Sequence, residues 1–192
     1  MKRLDAQYQQ GKVTEPKQKT YWLDMSNKDM SHINISQKGI DFIKDKEKCS
    51  LTKYKDNYGY SIGYGHLIKD GENIGDAITQ KNADELFVND INTYVMPAVR
   101  RICQTLHFVP TQSLIDGLAS VIYNCGEKGF KKSEVYEKLL RCRPINEQGD
   151  VNESDINFAL SKMKDCRIPS KASSCQESVR NRRADERRLM LN

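Results

Sequence analysis

The sequence has no apolar run that approaches the roughly 18 residues of a membrane-spanning segment. Its first twenty residues, MKRLDAQYQQGKVTEPKQKT, begin with basic side chains but contain no apolar core, so we do not expect a signal peptide. Internal repeats are also missing. These absences disfavour an integral membrane protein and a repeat architecture, and a chain of 192 residues is then expected to form one domain.

Zinc-type spacings are missing as well. The six cysteines form no CxxC pair and no Cys/His pattern, so we predict no structural metal. Cys103 and Cys125 lie on apolar helical faces, where a buried free thiol is the simple interpretation. The sequence leaves open whether any disulfide forms. If one does, it is expected within the C-terminal trio of Cys142, Cys166 and Cys175.

The chain lacks an acidic excess, because 31 Lys and Arg outnumber 26 Asp and Glu and give a net charge of +5. This balance favours anionic partners without choosing among them. No aromatic and basic residues interleave in a known motif, so we predict no nucleic-acid partner. The C-terminal run RNRRADERR has two interpretations: a surface that attracts an anionic partner, or a solvated helix face with weak Arg–Glu pairs.

Composition divides the chain into two parts. Residues 1–33 are rich in Lys, Gln, Asp and Asn and are predicted to be a flexible or weakly ordered N-terminal extension. Residues 34–192 are predicted to be the folded domain. Residues 51–68 mix Tyr, Ile and Leu with glycines, which indicates a short, bent antiparallel ribbon.

Helical patterns fill the rest of the domain. About six helices are expected after the ribbon, which gives an α+β fold with strands early and helices late. Pro97 is expected to break or restart one of them. The segment that follows Thr111 is the most apolar, so its helix is assigned to the core, with Gly126 as its stop. The predicted N-caps are the hydroxyl residues Ser36 (or the nearby Asn34), Thr79, Thr111 and Ser133.

Two acids in and around the ribbon are candidates for chemistry. Glu47 follows Ile43 by four residues and Ile40 by seven, which places it on the helix face that must be buried. A carboxyl that loses water there favours its protonated form, as a general acid requires. Asp56 lies nine positions later in YKDNYGY, a glycine-containing turn.

Each candidate also has an ordinary structural interpretation. Glu47 could reach solvent from a highly charged helix end, and Asp56 could simply bond the backbone of its own turn. His66 is expected to be a structural histidine bonded to a neighbouring carboxylate. The arrangement favours chemistry, because a helix end and a ribbon can hold two acids on opposite walls of a cleft, as glycoside hydrolysis requires.

Three blocks of sequence resemble the phage-type lysozymes, glycoside hydrolase family 24. The first is the pattern of Glu47, then Tyr54-x-Asp56, a glycine, and Ser61-Ile-Gly-x-Gly-His66. The second is QSLIDGLASVIYNCGEKGFKKSEVYEKL, and the third is SVRNRRADERRL. The resemblance runs from about residue 36 to the end of the sequence.

The resemblance implies a lysozyme-like fold, with a small antiparallel β-ribbon lobe and a mainly α-helical lobe around a central buried helix. It implies a muramidase that cleaves the β-1,4 bond between N-acetylmuramic acid and N-acetylglucosamine and needs no cofactor or metal. Glu47 is then the general acid. Asp56 orients water or stabilises the cationic sugar, and Ser61 takes the place of the family threonine that helps to hold this water.

The sequence departs from the family pattern at the ribbon. Asp56 and Ser61 are five positions apart, where the family commonly has six, and serine lacks the methyl group of threonine. A lysozyme-fold module that binds wall glycan or serves in a phage tail or secretion device, with little catalysis, is therefore the alternative. The enzyme is expected to be a monomer that waits in the host cytoplasm before release and then acts on peptidoglycan in the bacterial wall.

Overall fold

The computed structural model describes residues 21, 23–56, 59–167 and 173–192, with the side chains of the last segment described from Gln176 onward. The first helix is α1 (Gln37–Lys46), and three short strands follow it: β1 (Ser50–Lys55), β2 (Tyr60–Gly63) and β3 (His66–Leu67). The later helices are α2 (Gln80–Asp90), α3 (Met96–Cys103), α4 (Gln112–Lys131), α5 (Glu134–Leu139), α6 (Glu153–Ser161) and α7 (Ser173–Leu191). This arrangement confirms the predicted α+β class.

Hydroxyl side chains begin four of these helices. Each of the predicted hydroxyl caps accepts a hydrogen bond from a backbone N–H in the first turn of its helix. At α2 the cap is reciprocal, because the Asn82 side chain bonds back to the N–H of Thr79. Pro97 lies in the first turn of α3, which follows a π-helical turn at Ile91–Val95. The helix therefore restarts at the proline, one of the two outcomes that the sequence predicted.

The three strands form one antiparallel sheet in the order β1–β2–β3, as the ribbon prediction required. Tyr54 of β1 lies opposite Ser61 of β2, and the N–H of Asp56 donates to the Gly59 carbonyl at 2.9 Å. Residues 57 and 58 at the tip of this turn lie outside the described residues. The register places Tyr54 and Ser61 side by side next to the turn that carries Asp56.

Helix α4 runs through the core, as its apolar composition predicted. From Leu114 to Ile122 every residue is buried. The prediction that Gly126 stops this helix is only half right. Gly126 leaves the helical conformation with φ 71° and ψ 161°, but helical turns resume beyond it and continue to Lys131. The glycine is thus a kink, at a φ that residues with a Cβ rarely adopt.

The predicted boundary at residue 34 is wrong for the part of the extension that the structure describes. Met25, Met30 and Ile33 are each about 5 % exposed or less, and they belong to the same apolar core as α1, α3 and α4. Short turns support this segment, since the N–H of Ile33 donates to the Met30 carbonyl at 3.0 Å. The packed domain therefore already includes Met25. Residues 1–20 and Trp22, which complete the predicted extension, lie outside the described residues.

Helix α7 packs along α4 and completes the core. Gly117 of α4 faces Met190 of α7 so closely that a Cβ built on the glycine would lie 2.2 Å from Met190 Cγ. The glycine lets the two helices approach, and this approach positions the polar side chains of α7 described below. Among the helices of the described segments, none has the length and apolarity required to cross a bilayer.

Replacing Gly117 by alanine is expected to lower the free energy of unfolding by about 1–3 kcal/mol, because the added methyl overpacks the α4–α7 contact. The matched control is Gly75→Ala, whose Cβ would meet only the Ala77 carbonyl, at an ordinary 3.7 Å. Urea unfolding followed by circular dichroism measures both variants. Equal stability of the two would contradict the close approach.

Candidate active site

Glu47 lies immediately after α1 rather than within it. Its backbone is extended (φ −102°, ψ 127°), and its N–H donates to the Ile43 carbonyl as the C-cap of the helix. The side chain has lost most of its contact with water, at 22 % exposed, in line with the sequence prediction. Its neighbour is not an apolar surface, however. Arg182 of α7 donates to Glu47 Oε1 at 2.6 Å, so an ion pair across 135 residues holds the carboxyl.

Asp56 bonds both to its own turn and to Ser61. Its Oδ1 accepts a hydrogen bond from the N–H of Gly59 at 3.1 Å, which is the ordinary turn contact. Its Oδ2 accepts a hydrogen bond of 2.7 Å from the hydroxyl of Ser61, and Ser61 is 1 % exposed. The interval of five residues therefore brings the carboxylate and the hydroxyl together in this structure.

Tyr54 lies near both acids. Burial raises the pKa of its phenol, and the charges of the Asp56 and Glu47 carboxylates raise it further. A phenol responds to two carboxylates in this way only when both lie near it. The side chain of Tyr54, opposite Ser61 in the sheet, therefore sits in the field of both predicted catalytic acids.

Tyr123 of α4 lies near Glu47 and Tyr54. Its hydroxyl donates to the Tyr64 carbonyl at 2.7 Å, which ties α4 to the loop that follows β2. Burial raises the pKa of this phenol as well, and the carboxylates of Asp90 and Glu47 add to the shift. Tyr123 also lines a cavity of about 390 Å³.

The cavity lies between the end of the ribbon, α3 and α4. Leu67, Tyr94 and Tyr123 contribute apolar and aromatic lining, and Arg101 and Glu127 contribute charge. Arg101 contacts Glu127 at 2.7 Å. Hydrogen bonds from Arg101 and Lys131 lower the pKa of Glu127 to about 2. An apolar lining with a few charged groups is typical of a site that binds a polar organic ligand.

His66 confirms its structural prediction. The ring Nδ1 lies 2.9 Å from Asp90 Oδ2, and Nε2 lies 3.2 Å from Glu72 Oε2. Burial raises the pKa of Asp90, while the hydrogen bond from His66 opposes that shift. The histidine joins β3 to the end of α2 and so supports the cavity wall. No cluster of metal-binding side chains occurs in the described ranges 23–56, 59–167 and 176–192.

Arg182 belongs to a buried cluster of charges that sequence reasoning missed. It contacts Glu186 Oε1 at 3.0 Å as well as Glu47. Burial alone would lower the pKa of Arg182, but the two carboxylates outweigh it and raise the pKa above its ordinary value. Arg183 and Glu186 are both fully buried and bond to each other at 2.5 Å, and Ser120 of α4 donates to Glu186 at 2.8 Å.

The solvated-face interpretation of RNRRADERR is therefore wrong for these residues. Arg–Glu pairs are present, but the pairs that involve Glu186 are buried against α4. The available signal was the third block of the family resemblance, because Arg182, Arg183 and Glu186 are its matching positions. Charge content alone could not distinguish a buried cluster from a surface one.

Comparison with known proteins finds similar sequences. The family model described as phage lysozyme matches residues 44–164, which is more than half of the chain. The endolysin of Acyrthosiphon pisum secondary endosymbiont phage 1 is 29 % identical over 156 residues, covering 80 % of this chain and 96 % of that protein. The endolysin of Lactococcus phage c2 is 36 % identical over 97 residues, covering 49 % of this chain and 40 % of that protein.

Two solved structures share the fold over most of their length. A mutant lysozyme of phage P22 superposes with a TM-score of 0.62 and 26 % identity, covering 83 % of this chain and 99 % of that one. The muramidase domain of SpmX from Asticaccaulis excentricus gives a TM-score of 0.63 and 25 % identity, covering 83 % of this chain and 98 % of that one. Both likenesses confirm the predicted lysozyme-like fold.

The buried cluster leads to a stability prediction. Glu186→Gln is expected to lower the free energy of unfolding by about 3–5 kcal/mol, because it leaves the guanidinium of Arg183 buried without its counter-charge. Glu137→Gln is the matched control: it breaks an exposed i,i+4 pair with Arg141 and should change stability by about 0–1 kcal/mol. Denaturant unfolding compares the two. If both variants lost the same free energy of unfolding, burial of the Arg183–Glu186 pair would not explain its contribution.

Proposed function

Because the chain belongs to the phage lysozyme family, we propose that it is a muramidase, which hydrolyses the β-1,4 bond between N-acetylmuramic acid and N-acetylglucosamine. Family membership makes it a glycoside hydrolase of the lysozyme type that acts on peptidoglycan. The particular bond, the catalytic residues and lysis of the cell wall are our proposals. One observation supports them: Glu47 and Asp56 both lie close enough to the Tyr54 phenol for their charges to raise its pKa.

Glu47 is assigned as the general acid. Arg182 holds Oε1, and we assign the proton that passes to the leaving sugar oxygen to Oε2. The cluster fixes the position of the carboxyl, because Arg182 is itself held between Glu47 and Glu186. After the proton is transferred, the Glu47 carboxylate can stabilise the cationic sugar.

Asp56 and Ser61 are assigned to the water. Hydrogen bonds from Ser61 and from the Gly59 N–H hold both oxygens of the Asp56 carboxylate, so its orientation is fixed before substrate arrives. From that position Asp56 can orient a water molecule or stabilise the cationic sugar. The Ser61 hydroxyl gives a second polar contact for the same water.

The substrate and location follow from the same assignment. Peptidoglycan and the polymers attached to it are anionic, so the net charge of +5 favours accumulation at the wall. We propose a monomer that is held in the host cytoplasm until release and then lyses the wall from the periplasm or from outside the cell. Neither nucleic acid nor a bound cofactor has a role in the proposed reaction.

Glu47→Gln is expected to lower turnover of isolated peptidoglycan by at least about 10²–10⁴-fold, because the amide cannot donate the proton. Asp45→Asn is the matched control, since Asp45 lies two residues away with a side chain 73 % exposed, and it should retain activity. Clearing of sacculi measures the rate, and circular dichroism checks that each variant folds. If Glu47→Gln cleared sacculi at the parental rate, another residue would be the acid.

The nature of the products separates the proposed function from its alternatives. Mass spectrometry of digested sacculi should find reducing-end muramic acid, as hydrolysis requires. Anhydro-muramic ends would indicate a lytic transglycosylase instead. Tight binding to sacculi without soluble products would favour the wall-binding module that the altered ribbon left as an alternative.

The water site makes a separate prediction. Ser61→Ala removes the 2.7 Å hydrogen bond to Asp56 and should lower kcat roughly tenfold or more, equivalent to about 1.4 kcal/mol in the barrier. Ser61→Thr keeps the hydroxyl and is expected to lose less. Steady-state rates on soluble glycan fragments measure both variants. An unchanged rate in Ser61→Ala would reduce Ser61 to a turn residue, and an unchanged rate in Asp56→Asn would require a different second group.

A further inference from the structure

Two cysteines from distant parts of the chain meet next to the buried charge cluster. Cys125 precedes the kink at Gly126 in α4, and Cys166 caps the 3₁₀ turn that follows α6. Their thiols lie against one another, and both are free. Cys125 is partly exposed, whereas Cys166 is 1 % exposed. Solvent therefore reaches part of Cys125, whereas Cys166 is shielded from it.

Contacts on both sides hold the two backbones close together. The guanidinium of Arg183 donates from Nε to the Cys166 carbonyl at 2.9 Å and from an Nη to the Asn124 side chain, next to Cys125, at 2.7 Å. Gly129 lies between the same segments. A Cβ built on it would be 3.4 Å from Cys125 Sγ and 3.3 Å from Arg167 Nε. A disulfide requires this kind of proximity between two backbones.

The chemistry of these thiols differs from that of the other described buried cysteines. Burial raises the pKa of Cys103 to about 12 and that of Cys142 to about 11, so both stay protonated and unreactive. The nearby thiol of Cys125, helped by Arg183, lowers the pKa of Cys166, and the same interaction raises the pKa of Cys125. One of the two thiol protons is therefore readily lost, and the two sulfurs share the proton that remains.

We propose that Cys125 and Cys166 are a disulfide-forming site, whose co-reactant is a small-molecule disulfide or a disulfide-bearing oxidoreductase of an oxidising compartment. Cys125, as the exposed thiolate after its proton passes to Cys166, attacks the disulfide R–S–S–R. A mixed disulfide forms, and the first R–S⁻ leaves and takes up a proton. Cys166 then loses its proton and attacks Cys125 Sγ, which expels the second R–S⁻. Two cysteine thiols are oxidised and one R–S–S–R is reduced to two R–SH.

The bond would secure the structure that orients Glu47. It closes a loop of about 40 residues and so removes conformations from the unfolded chain. It also joins the two segments that Arg183 bridges, and Arg183 shares Glu186 with Arg182. Oxidation is thus expected to raise Tm by about 5–15 °C without changing the residues at the acid pair. The proposal does not depend on hydrolase activity.

The test begins with the reduced full-length protein in buffers of oxidised and reduced glutathione. After alkylation of the remaining thiols, combined digestion with trypsin and chymotrypsin places Cys103, Cys125, Cys166 and Cys175 on separate peptides. Mass spectrometry is expected to find the Cys125 and Cys166 peptides joined. A Cys175 peptide joined to either one, glutathione adducts without a joined pair, or complete alkylation would each overturn the proposal.

Matched variants test the effect on stability. Oxidation should raise the Tm of the parent and of Cys49→Ser, which changes an exposed cysteine outside the pair. It should leave the Tm of Cys125→Ser unchanged. A shift of the same size in Cys125→Ser would mean that a different bond forms. The peptide map of the parent does not depend on any variant, so it tests the proposal even if a variant folds poorly.

Discussion

The buried pairing of Arg182 and Arg183 with Glu186 is the interaction on which the site depends. Removing such groups from water costs several kcal/mol each, about what the interaction between them can return, so the cluster is tolerable only when every charge has a partner. Ser120, Asn124 and the Cys166 carbonyl fill the remaining hydrogen-bonding positions. Glu47 joins this set through Arg182 and, at 22 % exposed, is less buried than Glu186.

The same pair of helices holds α1 at both ends. At its start, Asp116 of α4 accepts hydrogen bonds from the N–H and the hydroxyl of Ser36. At its end, Glu47 is fixed by Arg182 of α7. Since α4 and α7 pack tightly at Gly117 and Met190, the two anchors lie on one rigid unit. A helix held in this way places Glu47, the proposed acid, on a rigid support.

Local features of the site and fold could be predicted from sequence. Helix caps depend on residues three apart, the ribbon depends on neighbouring strands, and His66 met the carboxylate partner that it was expected to have. Contacts between distant segments could not be predicted from sequence. The partner of Glu47 lies in α7, and burial of Met25 and Met30 depends on surfaces contributed by later helices. Periodicity gives the phase of a helix, but it does not say which charged side chain another helix brings to its end.

The order of these parts along the chain has a consequence for synthesis. Glu47, Asp56 and Ser61 leave the ribosome early, while the guanidinium that holds Glu47 is 135 residues further on. At about 5–20 residues per second, roughly 7–27 seconds separate the synthesis of Glu47 from that of Arg182. A nascent chain that lacks α7 carries the proposed acids but not the guanidinium that holds Glu47. The alignment of Glu47 therefore requires that α7 is made and docks on α4.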